Sequence, residues 1–273
     1  MQFLSRPKLQ SDPSIRIPKL LHYDQEHHVL ILEDAGPLPS LKSWMTEHTD
    51  IALCTRVGEA VGRFLAHLHD ATAGDSKLLA EFNGNETAKN LSGKLYFGTL
   101  AQAAQKFGYS DTFIREAARV GEEEVMQRSE VLTMGDFWTG NVLVAANPGQ
   151  EAFHLYVLDL ELSKPGTAEF DIGQMAAEMW CLATFRKGAR AQSLALLSAF
   201  LKSYKVSRSV GVDAAKVAVR IGSHLFVIMP RAWASEGSPE QIKNAAAEGR
   251  EFVRMGWERD EEALRRSVLA PLL

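Results

Sequence analysis

Residues 134–161 decide the fold, and they read MGDFWTGNVLVAANPGQEAFHLYVLDLE. Val142–Ala145 and residues 155–160 are short apolar runs, and the spacer AANPGQEAFH that separates them is rich in turn-forming residues. Short apolar runs bounded by turn residues are typical of β-strands. The stretch therefore predicts a β-hairpin with a long loop.

Three polar side chains flank this predicted hairpin. Asp136 lies on the loop before the first strand, Asn141 lies at the entrance of that strand, and Asp159 lies at the exit of the second. Because a hairpin brings its entrance and its exit together, we expect the three side chains to converge at one end. Asp and Asn in loops are also ordinary turn formers, and that interpretation stays open for each residue taken alone.

These side chains are suited to one kind of chemistry. Carboxylate and carboxamide oxygens are ligands for Mg²⁺ rather than for Zn²⁺ or copper. Phosphoryl transfer requires metal ions that neutralise charge on the phosphates and a carboxylate that orients the attacking hydroxyl. In that scheme Asp136 is the base or orienting residue, Asn141 binds one metal ion, and Asp159 binds the ion that bridges the phosphates. Glu161 is either a further metal ligand or a strand residue that faces solvent.

At these residues the chain resembles the aminoglycoside phosphotransferase and choline kinase superfamily. The catalytic loop of that superfamily has the pattern H-x-D-x-x-x-x-N, and its metal-binding aspartate follows one hairpin later as D-x-E or D-x-D. The corresponding segments here are MGDFWTGN and DLE. Three further segments match in the same order, the strand and hinge HVLILEDAG, the helix end FLAHLHDAT and the segment PGTAEFDIGQ. Together the matches span roughly residues 18–180.

The resemblance implies a protein-kinase-like α+β fold in which a mostly helical C-lobe carries the catalytic hairpin. It also implies ATP as the phosphate donor, Mg²⁺ as the cofactor and a hydroxyl of a small metabolite as the acceptor. The hinge residues Leu32, Glu33 and Asp34 are then expected to bind the nucleotide. The substrate classes that it suggests are amino sugars, choline-like amino alcohols, thioribose sugars and glycated amines, and nothing in the sequence chooses among them.

Two features depart from the family pattern. Met134 stands where the family has a His that supports the loop, and a thioether can fill that space without the hydrogen bond. The family covers the phosphates with a Gly-rich loop and a strand lysine held by a glutamate, whereas the sequence before the hinge segment has no glycine and only Lys8 and Lys19 as lysines. We therefore expect an N-terminally truncated chain, with an N-lobe remnant and hinge in residues 1–36 and the catalytic C-lobe in residues 37–273.

Such a truncation has expected consequences. The hinge strand Val29–Leu32, which its apolar sequence predicts to be buried, would lose sheet partners and expose apolar surface, which favours self-association. The contacts that position the phosphates would be lost as well, so we expect the chain by itself to have little or no kinase activity. The alternative is a catalytically silent binding or regulatory module, although the set Asp136, Asn141 and Asp159 favours an enzyme.

The bulk composition is that of an ordinary globular protein. The 273 residues are 46% hydrophobic and 23% charged, which is enough for a substantial core. The formal net charge is −4 and no segment concentrates Lys and Arg, so a nucleic-acid partner is not expected. No signal segment and no membrane-spanning run is found, and a cytoplasmic location is therefore expected. Cys54 and Cys181 are expected to be reduced core thiols.

Helical periodicity dominates the remainder of the chain. It predicts helices at about residues 51–70, 95–107 and 111–128, and helical structure throughout the sequence after Asp171. The best-delimited helix begins at SPEQ (238–241), which combines an N-cap Ser with Pro at the first helical position and a Gln at the capping-box position.

A few other polar side chains admit two interpretations. Asp171 suits either a helix N-cap or the family segment that follows the metal motif. His69 suits a packed, hydrogen-bonded histidine better than a catalyst. His27 and His28 lie in a predicted polar turn, where solvation is favoured over a metal site.

Overall fold

The computed structural model describes residues 12–47, 50–146 and 152–273. Lys8 and residues 147–151 of the predicted hairpin loop lie outside these ranges. The strands are β1 (Ile15–Arg16), β2 (Leu20–Asp24), β3 (Val29–Leu32), β4 (Val131–Thr133), β5 (Val142–Ala145), β6 (His154–Val157) and β7 (Lys164–Gly166). The helices are α1 (Leu41–Glu47), α2 (Ile51–Thr72), α3 (Ser76–Asn83), α4 (Glu86–Gly93), α5 (Leu100–Gln105), α6 (Thr112–Gln127), α7 (Ala168–Phe185), α8 (Arg190–Ser207), α9 (Ala214–Val227), α10 (Met229–Ala232), α11 (Pro239–Trp257) and α12 (Glu261–Arg266).

The body of the molecule is helical and carries three small sheets among the described residues, which confirms the predicted α+β class. Helix α2 begins where the Asp50 side chain accepts hydrogen bonds from the amides of Ala52 (2.8 Å) and Leu53 (3.2 Å). It packs closely against α8, because a Cβ added at Gly58 would lie only 2.4 Å from the carbonyl oxygen of Leu196. Helix α7 packs against both α8 and α9 and is buried on nearly all sides. It therefore forms the centre of the helical body.

The predicted hairpin is present as the antiparallel pair β5–β6, and β1 extends it by pairing in parallel with β6. Its second strand is shorter than expected, since it ends at Val157 instead of residue 160. The reason is local backbone conformation: Asp159 has φ 61, in the left-handed region, which an extended strand cannot contain. The last residues of the apolar run thus form a loop. A second small sheet pairs β4 with β7.

The hinge strand β3 pairs only with β2 among the described residues, in a separate antiparallel ribbon. The expectation that Val29–Leu32 is buried is wrong, since its four side chains are 41–55% exposed. The expectation that this strand exposes apolar surface agrees with the structure. An apolar strand is buried only where another layer of helices or strands packs over it, and an apolar sequence alone does not supply that layer.

Helix boundaries differ from the predictions in instructive ways. The helix expected at residues 51–70 runs to Thr72, and the one expected at 95–107 is a short π-helix (Lys94–Gly98) followed by α5. Helices α1, α3 and α4 were not predicted, because they are too short to show a clear apolar period. The capping box at Ser238 is confirmed.

Both cysteines are free and buried, as expected. Among the described helices, none combines the length and the apolar character that crossing a bilayer would demand.

Candidate active site

The loop that carries Asp136 leaves β4 through a turn that only glycine can make. Gly135 has φ 80, and a Cβ at this position would lie 2.1 Å from the carbonyl oxygen of Leu162. Left-handed backbone and close approach both favour glycine. Gly135 thereby presses the loop against the segment after β6 and sets the position from which Asp136 projects.

A buried carboxylate holds this loop from behind. Asp171, fully buried in the first turn of α7, accepts hydrogen bonds from the amides of Met134 (2.8 Å) and Gly135 (3.0 Å). The Nε2 of His69 lies 3.2 Å from the same carboxylate, and its Nδ1 lies 2.8 Å from the hydroxyl of Tyr204. His69 is thus the packed, hydrogen-bonded histidine that we predicted. The N-cap interpretation of Asp171 is wrong, since α7 begins after Thr167 and the Asp171 carboxylate binds loop amides instead.

Met134 is 1% exposed and belongs to the main core cluster. Its side chain packs into that core, and its backbone amide donates a hydrogen bond to Asp171. The loop is therefore held through its backbone, which does not depend on the side chain at this position.

Asp136 is half-buried, and its carboxylate accepts hydrogen bonds from two side-chain amides. The Nδ2 of Asn141 donates to both the carbonyl oxygen of Asp136 (3.0 Å) and its Oδ2 (3.2 Å). The Nε2 of Gln174 donates to Oδ1 (2.7 Å). Burial, together with repulsion from Asp159 and Asp171, raises the pKa of Asp136 above its ordinary value against the opposing effect of these hydrogen bonds. A carboxylate with a raised pKa is a better proton acceptor.

The structure brings Asp136, Asn141 and Asp159 to the same end of the hairpin. The amide of Leu158 donates to the carbonyl oxygen of Asn141 (2.9 Å), which closes the hairpin beside the loop. Asp159 follows at once, exposed and in a left-handed conformation, and it is near enough to raise the pKa of Asp136. Strained backbone of this kind is common at functional sites.

The other predicted site residues lie on exposed segments. The Glu161 side chain is exposed, and its backbone carbonyl accepts from Asn85 Nδ2 (3.0 Å). In the β2–β3 ribbon, Leu32 is 41% exposed. The Oε2 of Glu33 accepts from the Lys19 amide (3.2 Å), and Asp34 closes a turn by accepting from the amide two residues on (2.8 Å). The nucleotide role of these three hinge residues and the metal role of Glu161 stay predictions.

A cavity of about 350 Å³ opens beside Asp136. One wall is formed by the polar residues Gln174, Glu178 and His224, and another includes the rings of Tyr96 and Trp138. Cavities of this size and mixed lining are typical of small-molecule sites. The pattern of the sequence did not identify this cavity, because its walls come from helices far apart in the chain.

Lys164 lies directly behind the loop that carries Asp136, a position that no sequence pattern indicated. Its Nζ is close to Gly135, where an added Cβ would come within 2.8 Å of it, and it lies 4.4 Å from the ring centroid of Phe170. Burial lowers the pKa of Lys164 from 10.5 to about 8, against the attraction of Asp171 and Asp136.

The donor set at the hairpin is suited to Mg²⁺. No three His, Cys, Asp or Glu side chains form a metal cluster within residues 12–47, 50–146 and 152–273, and His27 forms an exposed pair with Asp24 (2.8 Å). Mg²⁺, however, is usually held by one or two carboxylates together with substrate phosphates. Because the Asn141 amide nitrogen is engaged with Asp136, its oxygen is available to a cation, as is the exposed carboxylate of Asp159.

A helical body that presents a loop Asp, a hairpin Asn and a second Asp beyond the hairpin defines the class of kinase-like phosphotransferases. The comparison with known families agrees. The profile of the phosphotransferase enzyme family matches residues 3–203, and the chain belongs to that family.

The relatives that the chain resembles are kinases of small molecules, and a solved structure shares its fold. It is 30% identical over 258 residues to a 4-hydroxytryptamine kinase of Psilocybe cyanescens, a match that covers 93% of this chain and 68% of the relative. A 4-hydroxytryptamine kinase of Psilocybe cubensis is 28% identical over 244 residues, covering 87% and 66%. The chain thus spans about two thirds of the length of these relatives. A glucosamine kinase structure shares the fold, with a TM-score of 0.57, 13% identity and coverage of 94% and 69%.

Proposed function

We propose that this protein transfers a phosphoryl group from ATP to a hydroxyl of a small metabolite, with Asp136 as the residue that orients the hydroxyl and accepts its proton. The proposal rests on the position, the hydrogen bonds and the raised pKa of the Asp136 carboxylate. This carboxylate lies at the edge of a cavity, is fixed by Asn141 and Gln174, and has a raised pKa. A fixed carboxylate of raised basicity is what the acceptor hydroxyl requires.

The proposal includes Mg²⁺, held by Asn141 and Asp159 and by Glu161 as a further ligand. When bound, Mg²⁺ neutralises charge that develops on the transferred phosphoryl group. The role of the protein is to hold the side-chain oxygens of these ligands in position. The closed end of the hairpin does so for Asn141 and Asp159. The nucleotide would lie against Leu32, Glu33 and Asp34, and the structure of a glucosamine kinase with ADP supports a nucleotide-binding role for this fold.

The acceptor hydroxyl belongs to a compound that the cavity can hold. The relatives are named as kinases of 4-hydroxytryptamine, and the structural neighbours as glucosamine kinases. Both names describe amines that carry a hydroxyl. We therefore place hydroxylated amines first among the acceptors, and a cytoplasmic location with access to ATP is part of the proposal.

The test is ATP-dependent phosphate transfer to a panel that contains hydroxytryptamines, amino sugars, choline, ethanolamine and thioribose. It uses the 273-residue chain and any longer chain that its gene encodes. Asp136→Asn is expected to lower turnover at least about 100-fold, the usual contribution of a positioned general base. Asp111→Asn, which changes a carboxylate paired with Arg250 instead, is the matched control and keeps activity.

Two outcomes would overturn the proposal. One is the absence of phosphate transfer to every acceptor in both chain lengths, which would favour a silent binding module. The other is turnover that Asp136→Asn leaves unchanged.

A further inference from the structure

Glu178 is a buried carboxylate with one oxygen left without a donor. It lies on α7 and is 1% exposed. Its Oε1 lies 2.7 Å from the Nε2 of His224 and accepts from the indole nitrogen of Trp233 at 3.4 Å. Its Oε2 has no hydrogen-bond partner among the described residues. An unpaired buried carboxylate oxygen is costly and rare in folded proteins, so it points to a donor supplied from outside the chain.

Glu178 lies in the wall of the cavity beside Asp136. Both residues line this space of about 350 Å³. Much of the remaining wall is apolar or aromatic, formed by Leu91, Leu95, Tyr96, Trp138 and Ile228. A wall of this kind buries an apolar body well, but it offers few partners to the many hydroxyls of a sugar.

The charge of the cavity favours a cation. No Lys or Arg forms an ion pair with Glu178 within the described residues, where its charged-group contact is with His224. Among the residues that line the cavity, Asp136 and Glu178 carry carboxylates and none is Lys or Arg. The faces of Tyr96 and Trp138 also attract cations. A protonated amine would satisfy Oε2 and be favoured by both rings.

The spacing along α7 places two polar groups of the cavity at different heights. Gln174, which donates to Asp136, and Glu178 are four residues apart, so they are separated by about 6 Å along the helix axis. A hydroxyl at Asp136 and an ammonium group at Glu178 would therefore lie at two points of the same cavity, with apolar wall residues around the atoms between them.

We propose that Glu178 binds the protonated amine of the acceptor substrate, and that the substrate is consequently a hydroxylated amine with an apolar, aromatic body. This inference rests on the proposed phosphotransferase function for the role of the hydroxyl. Recognition of the amine is measurable without ATP, so the two can fail separately.

The experiment compares matched ligands by calorimetry in the absence of ATP. Tyramine is compared with 4-ethylphenol, and tryptamine with 3-ethylindole, pairs that differ only in the amine. The unmodified chain is expected to bind each amine at least about 10-fold more tightly than its partner, as a charge-assisted hydrogen bond in a buried site allows. Because this comparison needs no variant, it holds even if substitutions at Glu178 impair folding.

Variants then assign the effect to the residue. Glu178→Gln is expected to remove the preference for the amine, whereas Glu169→Gln, a buried carboxylate of the same helix whose Oε1 accepts from the Asp213 amide, retains it. Asp136→Asn also retains it, since it changes the chemistry and not the amine site. An active kinase without amine preference would refute the role of Glu178 alone, and amine preference without phosphate transfer in either chain length would refute the kinase function alone.

Four results would overturn the inference, and the first three concern relative affinities. These are equal binding of amine and partner, loss of the preference in Glu169→Gln as much as in Glu178→Gln, and tighter binding of 3-(4-hydroxyphenyl)propanoate, which would mean that a protonated His224 selects an anion. Failure of both amines to bind at millimolar concentration would count equally against it.

Discussion

Replacement of Lys164 by Met tests the electrostatics of the region behind the catalytic loop. The side chain is 1% exposed, and its Nζ has no hydrogen-bond partner among the described residues. Burial lowers its pKa from 10.5 to about 8, although Asp171 and Asp136 favour the charged form. The lysine is therefore protonated at neutral pH in a position that disfavours its charge.

The magnitude follows from that pKa. One pKa unit corresponds to about 1.4 kcal/mol, so the fall from 10.5 to about 8 lowers the free energy of unfolding at pH 7 by roughly 3 kcal/mol. Between about pH 8 and pH 10.5 the unfolded chain binds more protons than the folded chain, so stability rises with pH and the penalty disappears. Met has a similar length and no charge. We expect Lys164→Met to raise the free energy of unfolding at pH 7 by about 1–3 kcal/mol, and by less than about 1 kcal/mol at pH 10.

The assay is urea denaturation of both chains at pH 7 and pH 10, with the exposed Lys202→Met as the control. The control is expected to change stability by no more than about 0.5 kcal/mol at either pH. A Lys164→Met chain that is less stable at pH 7 would refute the reasoning. An equal gain at both pH values would show that packing, and not the buried charge, is responsible.

Two further predictions concern the catalytic loop and the exposed ribbon. Asp171→Asn places a side-chain amide group against the donating backbone amides of Met134 and Gly135. We expect the free energy of unfolding, measured by urea denaturation, to fall by about 2–4 kcal/mol, as for charged hydrogen bonds that are broken in a buried site. Unchanged stability would contradict the role of Asp171 in holding the loop. Leu30 is 55% exposed on β3, and we expect the chain to self-associate and Leu30→Lys to reduce this in sedimentation experiments, while Val206→Lys, at a 77% exposed site on α8, does not; a monomer at all concentrations would contradict this.

The sequence was sufficient for the hairpin and the residues at its ends. Asp136 and Asn141 lie shortly before β5, and Asp159 lies two residues after β6, so local strand patterning alone brings them together. Their family roles, the hinge contacts and the division into residues 1–36 and 37–273 stay predictions. This part of the site could be predicted because an antiparallel hairpin is determined by residues that are close together in the sequence.

The remainder of the site could not be predicted from the sequence, because it depends on packing between elements that are far apart in the chain. Nothing near Lys164 in the sequence distinguishes a buried lysine from a surface one. Likewise, the exposure of β3 is decided by which elements cover it, and its apolar residues gave the opposite expectation. The partners of Glu178 come from α9 and from the residue after α10, which only the tertiary fold brings to α7.

One signal in the sequence could have revealed the site, and it lies in α7. Asp171, Gln174 and Glu178 are spaced i, i+3 and i+7, so they share one face of the helix. Each is buried, in a helix whose other residues are mostly apolar. Buried polar groups are tolerated where they have partners, so three on one face indicate that this face meets something polar. The first holds the catalytic loop, the second holds Asp136, and the third lines the cavity. A single helix face therefore contacts the loop of Asp136, the Asp136 carboxylate and the cavity beside it, which are the three parts that the proposed function brings together.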